Sequence, residues 1–311
     1  MRLVFMGTPQ AAVVSLERCI ADGHSIVAVW TQPDRPAGRG NKLTPTPVRI
    51  AAQMHGISVH QPQKIKDVAA EELFASHKAD LCVVAAYGRI LPSSFLRTPR
   101  LGCVNLHFSL LPKYRGAAPV NWVIANGEWE TGVTTILMDE GLDTGKILLQ
   151  KVTPVGPQET APELMSRLSV LGAELLSETL KNFPALLPRV QDHSLSTFAP
   201  LLKREDGLID WTMEAPEIER RIRAFQPWPA AYTHYKSMLL KIWSAKIAAT
   251  SDETSGILPG GVLKAIGDEL LVKCGGHEAL AIRKAQLEGK RRVNARDLIN
   301  GLRLTRGARF V

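Results

Sequence analysis

Only four cysteines occur in the 311 residues, Cys19, Cys82, Cys103 and Cys274, and no two of them form a Cys-x-x-Cys pair. That scarcity excludes a disulfide-stapled scaffold and predicts reduced thiols in a cytosol. The eight histidines show no ligand spacing either, so no metal is expected. No apolar run comes near the ~18 residues of a membrane-crossing helix. The opening MRLVFMGTPQ breaks its short apolar stretch at Gly7-Thr8-Pro9, with no small-residue cleavage site behind it. We therefore expect no leader, no membrane partner and a cytoplasmic location. Gly-x-Gly-x-x-Gly is also missing, which removes a dinucleotide cradle at the first helix. No internal repeat is visible, and the solenoid architectures fall with it.

What is present is an ordinary globular composition, 45% hydrophobic and 22% charged, in a chain long enough for two domains. The formal net charge is +8. Much of it lies near the C-terminus, where Arg283, Lys284, Lys290, Arg291, Arg292, Arg296, Arg303, Arg306 and Arg309 face only Glu288 and Asp297. Such a cluster suits a polyanionic partner, and it equally suits a solubilising charged face.

Apolar runs at Leu3 to Met6, 25 to 31 and 81 to 86 alternate with stretches of helical spacing. This is the pattern of an α/β, Rossmann-like, mostly parallel sheet, whose ligands lie outside the carboxyl ends of the strands. Prolines and mixed polar residues over 184 to 207 mark a connection between domains. We place a catalytic domain at 1–189, a linker at 190–206 and a second domain at 207–311. Beyond a helix from Ala215 to Phe225, short runs such as AYTHY, MLLKIWSA and ELLVKC predict a small all-β unit, a barrel.

The densest polar cluster in apolar surroundings is LGCVNLHFSLLPKYRGAAPVNW. In a strand, Asn105 and His107 share a face, where an amide and an imidazole can hold a developing oxyanion and handle a proton. The alternative is a buried, mutually satisfied polar pair. Downstream, Asp139, Glu140 and Asp143 sit in a loop between two apolar runs. A carboxylate folded back from there would orient His107; alone, the loop is equally a hairpin turn. Gly88 permits close approach of the backbone to a flat ligand, and it and Pro92 also serve simply to turn the chain. The basic, Gly- and Pro-rich stretch Thr31 to Leu43 reads as a flexible loop.

Taken together, Asn105-Leu106-His107, Ser109-Leu110-Leu111-Pro112, Tyr114-Arg115-Gly116 and the later Asp143 resemble the folate-dependent formyltransferase family. Phe5 to Pro9, the basic loop, and Lys203 to Trp211 followed by Ile222 to Pro229 extend the resemblance over nearly the whole chain, towards members that act on aminoacylated tRNA. The resemblance implies catalytic roles for Asn105, His107 and Asp143, with 10-formyltetrahydrofolate as donor. It implies a pterin site at Tyr87, Gly88, Arg89, Ile90 and Leu91, walled by Ser109, Leu110, Leu111 and Pro112, with Asp139 also binding the donor. It makes methionyl-initiator tRNA the acceptor, met by Arg35, Arg39 and Lys42 of the loop and by Arg291 and Arg292 of an OB-like C-terminal domain, in a monomer. The acceptor must lose a proton, and His107, Asp143 or a water remain open as the base. A sugar-nucleotide amine as acceptor, a hydrolase, a small-ribonucleotide formyltransferase and a catalytically silent RNA-binding module are the competing readings.

Overall fold

An uninterrupted apolar run can form a strand only where both its faces are covered, and Leu3, Val4, Phe5 and Met6 are all fully buried. The computed structural model describes residues 1–37, 42–250 and 256–311. In chain order the elements begin β1 (Arg2–Gly7), α1 (Gln10–Ala21), β2 (Ser25–Trp30), β3 (Arg35–Ala37), β4 (Lys42–Thr44), α2 (Pro47–Met54), β5 (Val59–His60) and α3 (Val68–Ser76). They continue with β6 (Leu81–Ala85), α4 (Ser93–Arg97), β7 (Cys103–His107), β8 (Arg115–Gly116), α5 (Pro119–Ala125), β9 (Glu130–Leu137), β10 (Lys146–Pro154), α6 (Ala161–Asn182) and β11 (Phe198–Ala199). The rest is α7 (Ala215–Ala224), β12 (Ala231–Tyr235), β13 (Met238–Ala249), β14 (Val262–Ile266), β15 (Glu269–Lys273), β16 (Glu278–Leu287), β17 (Val293–Asn294) and α8 (Ala295–Leu302).

The chain forms two compact units, one of Met1–Pro119, Glu130–Pro154 and Met165–Pro200, the other of Val120–Trp129, Val155–Leu164 and Leu201–Val311. The first is built on a seven-stranded sheet of order β10-β9-β7-β6-β1-β2-β5. β5, β2, β1, β6 and β7 pair in parallel, and β9 and β10 add an antiparallel edge. Because β1 pairs with both β2 and β6, successive crossovers leave it in opposite directions, which makes the carboxyl ends of β1 and β6 the switch point of the sheet. There Thr8 Oγ1 donates to the Tyr87 carbonyl at 3.0 Å. The stretch read as a flexible basic loop is paired at its ends, since Arg35 to Ala37 run antiparallel to Lys42 to Thr44.

The segment expected as linker has its own anchors in this unit. Phe198 and Ala199 pair in parallel with Arg115 and Gly116, Arg189 bridges Ile147, and Gln191 is buried.

In the second unit β12-β13-β16-β15-β14 form an antiparallel sheet, with β17 on β16. The last residues of the chain join its two edges: Tyr235 bridges Phe310 and Gly261 bridges Arg309. The result is a β structure closed around Trp211, Leu240, Ile282 and Phe310, with the edges at β12 and β14 covered by the last residues of the chain. A helix occupies part of the basic terminal cluster, where none was expected. Asn294 caps α8 by accepting from the Asp297 N–H at 2.9 Å, and Leu298 and Ile299 are buried.

Candidate active site

β7 alternates side chains across the sheet, so Leu106 points away from its neighbours on either side. Leu106 lies against α6, where a Cβ on Gly172 would come within 2.8 Å of it. Asn105 and His107 therefore face the opposite side, and both are buried. The loop between β9 and β10 brings Asp143 to them. Its Oδ1 accepts from Asn105 Nδ2 at 3.4 Å, and its Oδ2 lies 3.6 Å from His107 Nδ1 and accepts from the Gly116 N–H at 2.9 Å.

A carbonyl oxygen can only accept, so the 2.9 Å contact of His107 Nε2 with the Tyr114 carbonyl puts a hydrogen on Nε2. In the neutral imidazole, Nδ1 then carries a lone pair directed at a carboxylate. The carboxylate also requires the Asn105 amide nitrogen, not its oxygen, to face Asp143, and one hydrogen of that amide is left for another acceptor. An amide hydrogen of the kind that can meet an oxyanion and an imidazole beside a carboxylate thus converge, on two buried side chains and one half-buried one.

Asp143 owes its position to its loop. Asp139 Oδ1 accepts from Gly141 N at 3.1 Å and Thr144 Oγ1 at 2.6 Å, closing the turn on itself. At Gly145 a Cβ would come within 2.2 Å of the Leu137 carbonyl, so only glycine lets β10 start against β9 here.

The residues expected around the pterin divide into groups. Tyr87 and Leu91 belong to a hydrophobic core with Trp30, Phe74 and Phe95. Burial pushes the Tyr87 hydroxyl up to about 12. Gly88, at φ 80°, and Ile90 are exposed. Arg89 is turned into the frame: its Nε donates to Gln32 Oε1 at 3.0 Å and its Nη1 to the Pro62 carbonyl at 3.0 Å. Gln32 Nε2 donates in turn to the carbonyls of Tyr87, at 3.1 Å, and Gly88, at 3.3 Å. Ser109 spends its hydroxyl on the Lys113 carbonyl at 2.8 Å, and Thr134 Oγ1 donates to the Ser109 carbonyl at 2.6 Å. Leu111 packs with Ile136 and Ile147; Leu110 and Pro112 are half-buried.

Of the residues expected to meet tRNA, Arg35 and Lys42 are exposed on the short hairpin and Arg39 lies outside the described residues. Arg292 stacks 3.5 Å over the Trp243 ring centroid, and Arg291 lines a largely apolar hollow with Lys290, Leu298 and Leu302. Among the described residues, no group of three or more His, Cys, Asp or Glu is arranged to hold a metal ion. None of the described helices is long and apolar enough to cross a membrane.

Gln32, Thr134 and Gln191 escaped the sequence reading. Each is a polar residue in an undistinguished local context, and only the folded chain brings it to the cluster or its supporting loops.

Residues 1–180 match the formyl transferase family and residues 201–303 match the C-terminal domain of formyl transferases. The chain is 46% identical over 312 residues to a methionyl-tRNA formyltransferase of Geobacter sulfurreducens, covering 100% of this chain and 96% of that protein. It is 47% identical over 309 residues to a methionyl-tRNA formyltransferase of Citrifermentans bemidjiense, covering 99% and 95%. In fold it is similar to an N-formyltransferase of Helicobacter canadensis, solved with folinic acid and dTDP-3-aminofucose, with a TM-score of 0.67 over 90% of this chain and 98% of that one at 19% identity.

Proposed function

The chain belongs to the formyl transferase family, and from that premise we propose that it moves the formyl group of 10-formyltetrahydrofolate to the free amino group of methionyl-initiator tRNA. The product is N-formylmethionyl-tRNA for translation initiation. The observation that carries the acceptor is likeness at 46% over the whole chain to relatives named for methionyl-tRNA. The sugar-nucleotide reading has only fold-level likeness behind it, at 19% identity.

The chemistry follows from the cluster. The amine attacks the formyl carbon, and negative charge grows on the formyl oxygen. The free hydrogen of the Asn105 amide stabilises that oxygen, as a fixed donor on a buried side chain acts more strongly than water. The proton leaving the amine passes to the His107 Nδ1 and Asp143 pair. Once protonated, Nδ1–H becomes a second donor to the oxyanion and returns the proton to the departing folate nitrogen as the carbon–nitrogen bond breaks. Asp143 orients His107 and balances the imidazolium charge. The donor would be held outside β6 and β7 by the Tyr87 to Leu91 and Ser109 to Pro112 loops, with Asp139 shaping the turn beside them.

Residues 1–189 form the catalytic domain in this reading. Residues 207–311, with Arg291 and Arg292, form the tRNA-binding domain, aided by the loop of Arg35, Arg39 and Lys42. Phosphate contacts of that kind give affinity with little sequence discrimination. The working protein is a monomer in the cytoplasm, where its charged tRNA is made.

The test is formyl transfer from labelled 10-formyltetrahydrofolate to methionyl-tRNA beside a dTDP-aminosugar acceptor. Label on the tRNA alone supports the proposal. Label on the sugar alone discards the acceptor and keeps the chemistry.

A further inference from the structure

Asp143 holds a left-handed backbone at φ 53°, a conformation that a residue other than glycine keeps only where its surroundings impose it. From one side the Gly116 N–H binds its carboxylate. From the other, Gln191 Nε2 donates to the backbone carbonyls of Asp143 at 2.8 Å and Gly145 at 2.7 Å. Both hydrogens of that amide nitrogen are thereby used. The amide oxygen is used as well, accepting from Arg115 Nε at 3.2 Å and Nη2 at 2.7 Å. Gln191 is 3% exposed and Arg115 4% exposed, so neither has water as a substitute partner.

Arg115 is itself tied down. Its Nη2 reaches His193 Nδ1 at 3.1 Å, and its backbone N–H donates to the Thr197 carbonyl at 2.9 Å. The preceding Tyr114 N–H donates to Thr197 Oγ1 at 2.9 Å, and the Tyr114 carbonyl is the group that receives His107 Nε2. One strap, residues 189 to 199, therefore supports both the imidazole and the carboxylate of the cluster.

We infer that Gln191 is a positioning residue for formyl transfer: its single buried amide, oriented by Arg115, fixes the Asp143 backbone so that the carboxylate meets His107 and Asn105. The inference rests on the proposed role of Asp143. Only a primary amide meets the requirement, because one end must donate twice while the other accepts from a guanidinium.

Gln191→Glu tests it. The carboxylate keeps the Arg115 contact, and with it the fold, but it loses both donors to the Asp143 and Gly145 carbonyls. Gln191→Leu removes both ends. Thermal unfolding, kcat, and KM for the folate donor and methionyl-tRNA should be measured for each, alone and combined with Asp143→Asn. A cooperative transition retained in Gln191→Glu, kcat lowered by ~10²-fold with both KM values little changed, and no further loss in the Asp143→Asn background are expected. Gln191→Glu with wild-type kcat, a loss that multiplies with that of Asp143→Asn, or an unfolded Gln191→Glu would each overturn the inference. Asp143→Asn with undiminished kcat would instead remove the role of Asp143 on which it rests.

Discussion

Asp143 Oδ2 lies 3.6 Å from His107 Nδ1, just beyond hydrogen-bond reach. In the proposed step a proton arriving on Nδ1 would place an imidazolium beside that carboxylate, which offsets its charge while the new N–H faces the formyl oxygen. That links the resting geometry to the proposed step.

Asn105→Ala and His107→Ala should each lower kcat by ~10² to 10³-fold, the usual consequence of losing one oxyanion donor. Single-turnover formyl transfer at saturating methionyl-tRNA reads this directly. Losses below ~10-fold would return both residues to a packing role.

Methionyl-tRNA binding should weaken by more than ~10-fold between about 50 and about 200 mM salt if the basic surfaces meet phosphates. Arg35→Ala should weaken tRNA binding and leave KM for the folate donor unchanged. Fluorescence titration at several ionic strengths checks the first, and steady-state kinetics the second. A flat salt response would count against phosphate contacts.

Stability should fall as the pH drops below the ordinary histidine value of 6.5, because His60 and His77 both titrate below it in the folded chain. Burial lowers His60; burial and then the neighbouring His60 lower His77. The unfolded chain therefore binds more protons in this window, and acid favours unfolding. Trp30 Nε1 donates to His77 Nε2 at 3.3 Å, a bond that a proton on Nε2 would destroy. The rings of His60 and His77 stand 4.9 Å apart, so two charges there also repel. Thermal midpoints at pH 7.5 and 5.5 should differ less in a His60→Gln/His77→Gln variant than in the wild type.

Phe310→Ala should destabilise the C-terminal unit by ~3–5 kcal/mol, the usual cost of removing a buried aromatic side chain. Phe310 is 1% exposed, stacks with Trp211 at 6.1 Å, and its N–H donates to the Gly260 carbonyl at 2.9 Å. Denaturant titration followed by tryptophan fluorescence measures the loss. A shift below ~1 kcal/mol would mean that the last residues are not needed to close the sheet.

Sequence pattern alone determined the α/β architecture, because short apolar runs such as Leu3 to Met6 and Leu81 to Ala85 alternate with stretches of helical spacing, and Asn105 and His107 were placed on one face by their spacing of two. It also indicated the β-rich C-terminal part, through short apolar runs separated by glycine and proline. The pairing of Asp143 with those two residues was open in the residues themselves, since a loop acid 38 positions from Asn105 has no local signal of where it folds. Tertiary structure decided that meeting, and it decided three further matters. Tyr87 turned its ring into the core because an aromatic ring gains more from burial there than its hydroxyl loses. Arg89 was turned to Gln32 and Pro62, because loops after separate strands converge at the switch point of the sheet. Gln191 reached Asp143 across 48 positions because hydrogen bonds join whatever groups the fold brings together, however far apart they lie in the chain.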